Sequence, residues 1–280
     1  MLLTETRSDA RSWTEDQKGA RVALVPTMGA LHRGHLSLVE RARAAADRVV
    51  LSIFVNPLQF GPTEDLQRYP RDLDRDGALA REVGVDMIFA PSVLEMYPDG
   101  EPWVSVVPDR GADRLDGASR PGHFRGVLTV VAKLFGIIRP DSAVFGQKDL
   151  QQLTLIRRMT TDLDLGVEII AAPIVRDVDR LALSSRNQLL SSAERERALA
   201  LPAALSDCVR LFERGETRPE PYLEAMRTRI RPADQLDYAA VVDPDTLGPV
   251  TRVEAGAVCA IAARVGNTRL IDNVILGNSF

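Results

Sequence analysis

The chain has 280 residues, of which 45% are hydrophobic and 26% are charged, so it is long enough for one large or two modest domains. Its formal net charge of −4 argues against a general nucleic-acid binder, although it is compatible with a local basic cleft for phosphate groups. A polar first stretch and the lack of a long apolar run argue against secretion and against membrane insertion, so we expect a cytoplasmic protein.

The first part of the chain predicts a strand–helix–strand unit. Residues 4–18 predict a surface helix, after which the apolar residues 21–25 predict a buried strand. Apolar residues at helical spacing from Gly34 onward predict a second helix, and the apolar run over residues 48–55 predicts the next strand. A unit of about 35 residues has the size of a βαβ motif, so we expect a parallel sheet with its ligand site at the carboxyl edge.

Two histidines lie at the predicted start of the second helix. Unpaired backbone N–H groups and the helix dipole attract anions there, and Gly34 between His32 and His35 leaves room for a polyphosphate. An imidazole can donate a hydrogen bond to a phosphate oxygen. A single histidine is more often a packed or surface residue, but the chain has only three histidines, and two of them share this turn. The pattern therefore favours a phosphate site.

This stretch also carries a family resemblance. His-x-Gly-His after a strand resembles the signature of the nucleotidyl-transferring superfamily, and residues 26–35 as a whole resemble the pantothenate synthetase family, which joins pantoate to β-alanine. The resemblance implies ATP and Mg²⁺ as cofactors, pantoate and β-alanine as small-molecule partners, and a homodimer. It implies ATP contacts by Pro26, Thr27, Met28, Gly29, Ala30, Leu31, His32, Arg33, Gly34 and His35.

Two amide side chains follow the second predicted strand. Asn56 and Gln59 can both donate and accept hydrogen bonds, which suits a substrate with hydroxyl and carboxylate groups. Asn-Pro is also a common turn dipeptide, so simple turn formation is the alternative for Asn56. The stretch resembles the family motif in which the glutamine holds pantoate and lies close to β-alanine. The resemblance implies that Gln59 binds substrate, and Asn56 is predicted to be a substrate-binding residue as well.

Acidic residues open the next predicted helix, which ends at Val83. Asp72, Asp74 and Asp76 complement the helix dipole there, and contact with Mg²⁺ is a weaker alternative, so no residue is assigned to a metal. Short strands are predicted over residues 86–90 and 103–107.

Arg120 and His123 come just before an apolar helix. Their positions are typical of the first turn of a helix, and this structural interpretation is the alternative to a functional one. In the resembled family this segment borders the active-site cavity. Arg120 and His123 are therefore secondary site candidates.

A second strand–turn–helix pattern begins at residue 141. Lys148 suits phosphate oxygens, and the Gly146 backbone and the Asp149 carboxylate suit ribose hydroxyls, whereas an exposed Lys–Asp ion pair is the alternative. The resemblance implies that the second of the two following glutamines, Gln152, binds pantoate. It implies ATP contacts by Gly146, Gln147, Lys148 and Asp149.

Two serines and an arginine form the last candidate site. They offer consecutive donors, and an arginine matches a phosphate or a carboxylate, whereas a helix cap with a salt-bridged arginine is the alternative. The stretch resembles the second superfamily signature, a loop that closes over the ATP phosphates. Arg180 stands where the family usually has glycine, which puts the local turn in question. The resemblance implies ATP contacts by Val175, Leu183, Ser184, Ser185 and Arg186.

The remaining residues predict long helices followed by short strands. The helices are predicted from Ser191 to near Gly215 and from Pro219 to Arg231. Cys208 and Cys259 match no metal-ligand spacing and are interpreted as reduced, buried residues. The strands are predicted over residues 237–242, 258–265 and 268–271.

Together these patterns predict an α/β fold with a Rossmann-like parallel sheet over residues 1–174 and a smaller α+β domain over residues 175–280, with the nucleotide between them. By resemblance, the pantoate carboxylate attacks the α-phosphorus of ATP to give pantoyl adenylate and pyrophosphate, and the β-alanine amine then releases AMP. A nucleotidyltransferase and an inactive nucleotide-binding regulator are the alternative functions. The predicted catalytic residues are His32, His35, Lys148 and Arg186.

Overall fold

Six strands form one parallel sheet in the computed structural model, which describes residues 1–61, 66, 67 and 69–278. These strands are β1 (Leu2–Thr4), β2 (Val22–Thr27), β3 (Arg48–Ile53), β4 (Met87–Phe89), β5 (Ser142–Gly146) and β6 (Glu168–Ala172). Their order is β1-β4-β3-β2-β5-β6, and every neighbouring pair is parallel.

The described residues contain ten α-helices, and none of their helices is long and apolar enough to span a membrane. The helices are α1 (Arg7–Asp16), α2 (Arg33–Ala45), α3 (Leu73–Glu82), α4 (Val93–Met96), α5 (Leu115–Ser119), α6 (His123–Ile138), α7 (Leu150–Asp162), α8 (Ser192–Ala198), α9 (Ala200–Glu213) and α10 (Pro219–Arg229). Helix α2 packs against β2, β3 and β5 through Leu38, Val39 and Ala42, which recur at helical spacing.

The central strands β2 and β3 are continuous apolar runs because both of their faces are buried. Residues 22–25 and 49–51 are at most 3% exposed. The two strands pair in register from Val22 opposite Arg48 to Thr27 opposite Ile53. Their carboxyl ends therefore lie side by side, which places the loops after β2 and β3 at the same edge of the sheet.

The order of the strands reverses between β2 and β5. Strands β3 and β4 lie on one side of β2, and β5 and β6 lie on the other. In open parallel sheets a reversal of this kind leaves a crevice at the carboxyl ends of the two strands, and ligands bind in it. Residues 28–32 leave β2 at this point, and Gln147 follows β5.

Three antiparallel strands form a second sheet in the order β7-β8-β9: β7 (Gln235–Val242), β8 (Val258–Val265) and β9 (Thr268–Ile275). A hydrophobic core joins this sheet to α8, α9 and α10, with Leu205, Tyr222 and Ile261 at its centre. Cys208 and Cys259 are free and buried in this core, as the sequence predicts.

Packing contacts divide the chain into two units. The first unit contains residues 1–110, 120–147 and 155–173, with the parallel sheet. The second contains residues 111–119, 148–154 and 174–280, with the antiparallel sheet. The predicted α/β class is confirmed. The predicted boundary after residue 174 is close to the last crossing of the chain between the units, and it leaves out the two short segments of the second unit.

Three predicted elements differ from the structure. Residues 103–107 are not a strand: Trp103 is 96% exposed, and the backbone N–H of Val106 donates to the Thr129 hydroxyl instead of a neighbouring strand. The first helix begins only at Arg7, because β1 precedes it and pairs with β4. The long helix after Ser191 is interrupted at Leu199, three residues before Pro202, which has no backbone N–H for a continuous helical ladder.

Candidate active site

The turn between β2 and α2 brings the two predicted histidines together. His32 is the N-cap of α2, and its Nδ1 accepts a hydrogen bond of 3.1 Å from the backbone N–H of Gly34. Because Nδ1 is an acceptor, the neutral ring carries its proton on Nε2. The His35 ring stacks on the His32 ring with 4.1 Å between centroids. The pair therefore lies at a helix N-terminus, a position that favours phosphate.

Asp76 of α3 shapes the loop in front of these histidines. It is 1% exposed, and its carboxylate accepts the backbone N–H groups of Ala30 and Leu31, both at 2.8 Å. Ala30 has a φ of 52°, a left-handed conformation that costs a residue with a side chain about 1–2 kcal/mol. Two charge-assisted hydrogen bonds offset this cost.

The helix-dipole interpretation of Asp76 is therefore incomplete, since the side chain is a buried part of the histidine loop. A Cβ atom on Gly29 would lie 2.9 Å from an Asp76 oxygen, so only glycine fits beside this carboxylate. Both carboxylate oxygens accept backbone N–H groups, which disfavours Asp76 as a Mg²⁺ ligand. No group of three His, Cys, Asp or Glu side chains within the described ranges is arranged to hold a metal ion.

The Gln59 amide lies against the same loop. Its Nε2 donates a 3.2 Å hydrogen bond to Met28 Sδ, and its Oε1 accepts a 3.1 Å hydrogen bond from Asn56 Nδ2. Met28 belongs to the predicted ATP loop and Gln59 is the predicted pantoate ligand. The first unit thus brings together candidates for both substrates that are 31 residues apart in sequence.

Asn56 is 1% exposed, and its amide is committed to the protein. Its Oδ1 accepts from the Tyr97 hydroxyl at 2.9 Å, and its Nδ2 donates to the Gly126 carbonyl at 3.1 Å as well as to Gln59. Burial raises the pKa of Tyr97, which keeps the hydroxyl protonated as a donor. These contacts suit a residue that positions Gln59, and a direct contact of Asn56 with a substrate stays a prediction.

Arg120 and His123 are also part of this arrangement. His123 Nδ1 lies 2.8 Å from the backbone carbonyl oxygen of Gln59, and His123 Nε2 lies 2.8 Å from Arg120 Nη1. The sequence offers no local signal for this contact, because 64 residues separate His123 from Gln59. A cavity of about 410 Å³ borders the same loop, and its lining includes Gln59, Tyr97, Glu101, His123 and Arg125.

In the second unit, the first of the two glutamines on α7 is structural. Gln151 is 1% exposed, and its Nε2 donates to the carbonyls of Gly111 and Arg114 at 2.6 and 2.8 Å. Its Oε1 accepts from the Gly117 N–H at 3.2 Å. Since these contacts use the Gln151 amide, the half-buried Gln152 remains the candidate for a substrate, as the resemblance implies.

The Lys148 backbone is anchored within the second unit. Its carbonyl accepts a 3.1 Å hydrogen bond from Asn273 Nδ2 on β9. The ion pair with Asp149, which was the alternative interpretation, does not occur among the ion pairs of the described residues. The Lys148 side chain is half-buried, and Asp149 is exposed.

Two other ATP candidates lie at the base of a tight hairpin. Leu183 N–H donates to the Val175 carbonyl at 2.9 Å. At the tip of this hairpin, Arg180 has a φ of 71°, so the conformation that usually needs glycine is formed with an arginine. Arg176 Nη1 donates to the Arg180 carbonyl at 3.0 Å, and the Arg176 guanidinium forms a bidentate pair with Asp272 at 2.7 and 2.9 Å. The turn is therefore retained despite the departure from the family pattern.

The last candidates follow directly after this hairpin. Ser184 Oγ accepts the Arg186 backbone N–H at 3.2 Å, so Ser184 caps a short helical turn over Ser185–Leu189. The cap that was the alternative interpretation is therefore present. The ion pair that went with it is not among those of the described residues, and the Arg186 side chain is exposed.

Comparisons with known proteins identify the family. The family model described as pantoate-beta-alanine ligase matches residues 2–275. The chain is 50% identical over 281 residues to pantothenate synthetase from Heliobacterium modesticaldum, with 99% of each chain covered. A crystal structure of pantothenate synthetase from Thermus thermophilus aligns with a TM-score of 0.92 and 47% identity, covering 98% of this chain and 99% of that chain.

A second solved structure is that of pantoate-beta-alanine ligase from Francisella tularensis complexed with beta-gamma ATP and beta-alanine. It aligns with a TM-score of 0.82 and 33% identity, covering 100% of this chain and 99% of that chain. Each of these matches extends over nearly the full chain and includes both of its units. The chain therefore belongs to the pantoate-beta-alanine ligase family.

Proposed function

We propose that the chain joins pantoate to β-alanine with ATP, through pantoyl adenylate, and releases AMP and pyrophosphate. The observation that carries this proposal is the turn after β2, where the stacked rings of His32 and His35 lie at a helix N-terminus and the Gln59 amide contacts Met28 of the same loop. The proposed phosphate site and the Gln59 amide therefore lie against the same loop, although 31 residues separate Gln59 from Met28. Family membership supplies the reaction class.

In the first step, the two histidines donate hydrogen bonds to phosphate oxygens of ATP while Gln59 and Gln152 hold pantoate. The pantoate carboxylate attacks the α-phosphorus, and pyrophosphate leaves. The contribution of the protein is to position the reactants and to stabilise the negative charge that develops on the phosphates. His32 donates from Nε2, because its Nδ1 is the acceptor of the helix cap.

We assign the remaining polar candidates to the nucleotide. Lys148 and Arg186 supply positive charge for the phosphates, with Ser184 and Ser185 as hydroxyl donors. Gly146 and Asp149 suit the ribose, and the Val175 backbone suits the adenine ring. The hydrogen bond between Leu183 and Val175 supports this last assignment, because it fixes the Val175 backbone.

Mg²⁺ comes to the site with ATP in this proposal. The ion prefers oxygen ligands, retains several waters and is commonly held through substrate phosphates. It neutralises phosphate charge when bound, while the protein side chains orient the nucleotide and the acid.

In the second step, the amine of β-alanine attacks the acyl carbon of pantoyl adenylate, and AMP leaves. Gln59 is the residue that lies close to β-alanine in this proposal. The Francisella tularensis ligase, whose solved structure contains beta-gamma ATP and beta-alanine, supports this assignment of substrates.

The assay that tests this function measures AMP and pyrophosphate release from ATP and pantoate, with and without β-alanine. We expect AMP to be released at a sustained rate only when all three substrates are present. A nucleotidyltransferase would release pyrophosphate and retain the nucleotide on its product, with no dependence on β-alanine. An inactive regulator would bind ATP and release no pyrophosphate, and either result would contradict the proposal.

We also propose that the chain forms a homodimer. Three apolar side chains in one short segment support this: Trp103, Val104 and Val107 are 96%, 85% and 60% exposed. Exposed apolar side chains clustered in this way mark protein interfaces. A Trp103→Ser variant should run as a monomer in light scattering, whereas Leu163→Ser, which removes an exposed apolar side chain elsewhere, should remain a dimer. A monomeric unmodified chain would contradict the proposal.

The cytoplasm is the compartment that suits this function. ATP is available there as a substrate, and thiols stay reduced. The free thiols of Cys208 and Cys259 support the assignment. Fractionation of the source cells, with AMP-forming activity followed in each fraction, tests it.

A further inference from the structure

We propose that Arg120 and His123 form a positioning pair that fixes Gln59 for binding of the acid substrate. The inference rests on the proposed function, in which Gln59 binds pantoate. Gln59 is held at both ends: its side-chain amide by Asn56 and Met28, and its backbone carbonyl by His123. The pair acts at the backbone end, and it does not touch the reacting atoms.

The hydrogen-bond partners determine the tautomer of His123. A backbone carbonyl can only accept, so the contact of 2.8 Å between His123 Nδ1 and the Gln59 oxygen requires a proton on Nδ1. A guanidinium can only donate, so the contact of 2.8 Å with Arg120 Nη1 requires an unprotonated Nε2. His123 is therefore neutral, with its one proton directed at Gln59. The residue as a whole is 9% exposed, so little water reaches these hydrogen bonds.

In this assignment His123 is a positioning residue, and it is not the general acid or base of the reaction. A base needs an available nitrogen, and Nε2 already accepts from a permanently charged arginine. The ring links the Arg120 guanidinium to the Gln59 carbonyl through its two nitrogens. Arg120 Nη2 supports the same carbonyl more weakly, at 3.4 Å.

The surroundings of Gln59 leave little freedom for a different geometry. A Cβ atom on Gly126 would lie 2.2 Å from the Leu58 carbonyl oxygen and 2.6 Å from the Gln59 nitrogen, so the loop rests directly on the backbone of α6. His123 begins the same helix. The histidine hydrogen bond and this close approach therefore fix the Gln59 backbone from one element, and the Gln59 side chain extends from a fixed point toward Met28.

Steady-state kinetics with three His123 variants test the proposal. An asparagine amide nitrogen occupies nearly the position of Nδ1 and can donate to the Gln59 carbonyl, whereas a glutamine amide reaches the Nε2 position and cannot. We expect His123→Ala and His123→Gln to raise KM for pantoate by about 10- to 100-fold, since the loss of one well-placed hydrogen bond to a charged ligand changes binding by about this factor. His123→Asn should restore KM for pantoate to within a few-fold, and KM for ATP should change little in all three variants.

A double-mutant cycle with Gln59→Ala and His123→Ala distinguishes a positioning role of His123 from a general loss of structure. In a Gln59→Ala background the side chain that His123 positions is missing, so His123→Ala should cause no further rise in KM for pantoate. Equal effects of His123→Ala in both backgrounds would overturn the proposal. So would equal activity of the asparagine and glutamine variants.

Nuclear magnetic resonance tests the tautomer in the unmodified chain. With three histidines in the sequence, a long-range ¹H–¹⁵N spectrum is readily assigned by its comparison with the His123→Asn variant. We expect the Nδ1–H tautomer for His123. An Nε2–H tautomer, or a doubly protonated ring at neutral pH, would overturn the inference whatever the kinetics show.

The outcomes also distinguish this inference from the proposed function. If the unmodified chain releases no AMP from ATP, pantoate and β-alanine, the proposed function fails. If the unmodified chain is active and His123→Ala leaves KM for pantoate unchanged, only the positioning role fails.

Discussion

The candidate ligand-binding residues lie in two regions of the chain that are held in place in different ways. The loops around His32 and Gln59 in the first unit are held by buried side chains, which are Asp76 of α3, His123 of α6 and Asn56 of the Gln59 loop itself. The segment from Val175 to Arg186 in the second unit is held by its own hairpin and cap hydrogen bonds and by ion pairs. Arg176 pairs with the buried Asp272, and the partly exposed Arg195 of α8 pairs with Asp177 and Asp179. In the first region, binding geometry and stability depend on the same contacts. In the second, an exposed side chain can act on a ligand without contributing to the core.

The largest expected effect is from His35→Ala in the first region. Removing one of the stacked rings removes a side chain that we propose donates to the phosphates, so pyrophosphate release should fall by about 100- to 1000-fold. Pre-steady-state measurement of pyrophosphate release is the relevant test. Glu40→Gln, an exposed change on the same helix, is the matched control and should be close to the unmodified chain. Near-normal adenylate formation in His35→Ala would remove this residue from the mechanism.

The next effect is expected from Arg186→Ala in the second region. The side chain is exposed and its charge is assigned to the ATP phosphates, so kcat should fall by about 10- to 100-fold while the melting temperature stays the same. Gln188→Ala, exposed in the same short turn, is the control. If the melting temperature of Arg186→Ala fell together with its activity, this side chain would stabilise the fold, and the contrast between the two regions would be wrong.

Asp76→Asn, in the first region, should lower both the stability of the fold and the affinity for ATP, in contrast to Arg186→Ala in the second region. An amide keeps the shape of the carboxylate but presents one donor to the N–H groups of Ala30 and Leu31, so one of them loses its partner. We expect a loss of about 1–3 kcal/mol in the free energy of unfolding together with a raised KM for ATP. Asp74→Asn changes an exposed carboxylate in the same first turn of α3 and should do neither. Denaturant unfolding and ATP titration measure the two effects.

The smallest expected effect is a gain in stability from Arg180→Gly. Glycine removes the cost of about 1–2 kcal/mol that a side chain pays in the left-handed conformation. Glycine also raises the entropy of the unfolded chain, which offsets part of this stabilisation, so we expect the free energy of unfolding to rise by about 0.5–1 kcal/mol. Arg180→Ala keeps the strained φ and should give no gain. Thermal unfolding of the two variants checks the sign, and a destabilised glycine variant would mean that the arginine side chain stabilises the turn.

Local patterns made the fold and the first site predictable. Residues 22–25 and 49–51 are apolar because both of their faces are buried, and His32 and His35 lie on one turn, so short sequence windows contain the necessary signal. The strand predicted over residues 103–107 was wrong, because a short run of valines and an aromatic residue does not reveal whether a neighbouring strand exists for it to pair with.

The side chains that hold the site loops in place could not be predicted from local sequence patterns. Asp76 bonds to the histidine loop across 46 residues and His123 bonds to Gln59 across 64, so each looked like an ordinary residue in the first turn of a helix. Gln151 and Gln152 are neighbours of one type, and only the contacts of Gln151 with Gly111 and Arg114 show that it is structural. Long-range hydrogen bonds leave no periodicity in a sequence.

The glycine at position 126 has a mechanical consequence. With no side chain between α6 and the backbone of Leu58 and Gln59, a rotation or slide of α6 would move the loop that we propose binds the acid. We therefore expect a change of volume at buried residues of α6, such as Val130 and Leu134, to alter the fit of the acid from a distance. Changing the volume of those side chains is a route to ligases with an altered preference for the acid that leaves every substrate-contacting residue in place.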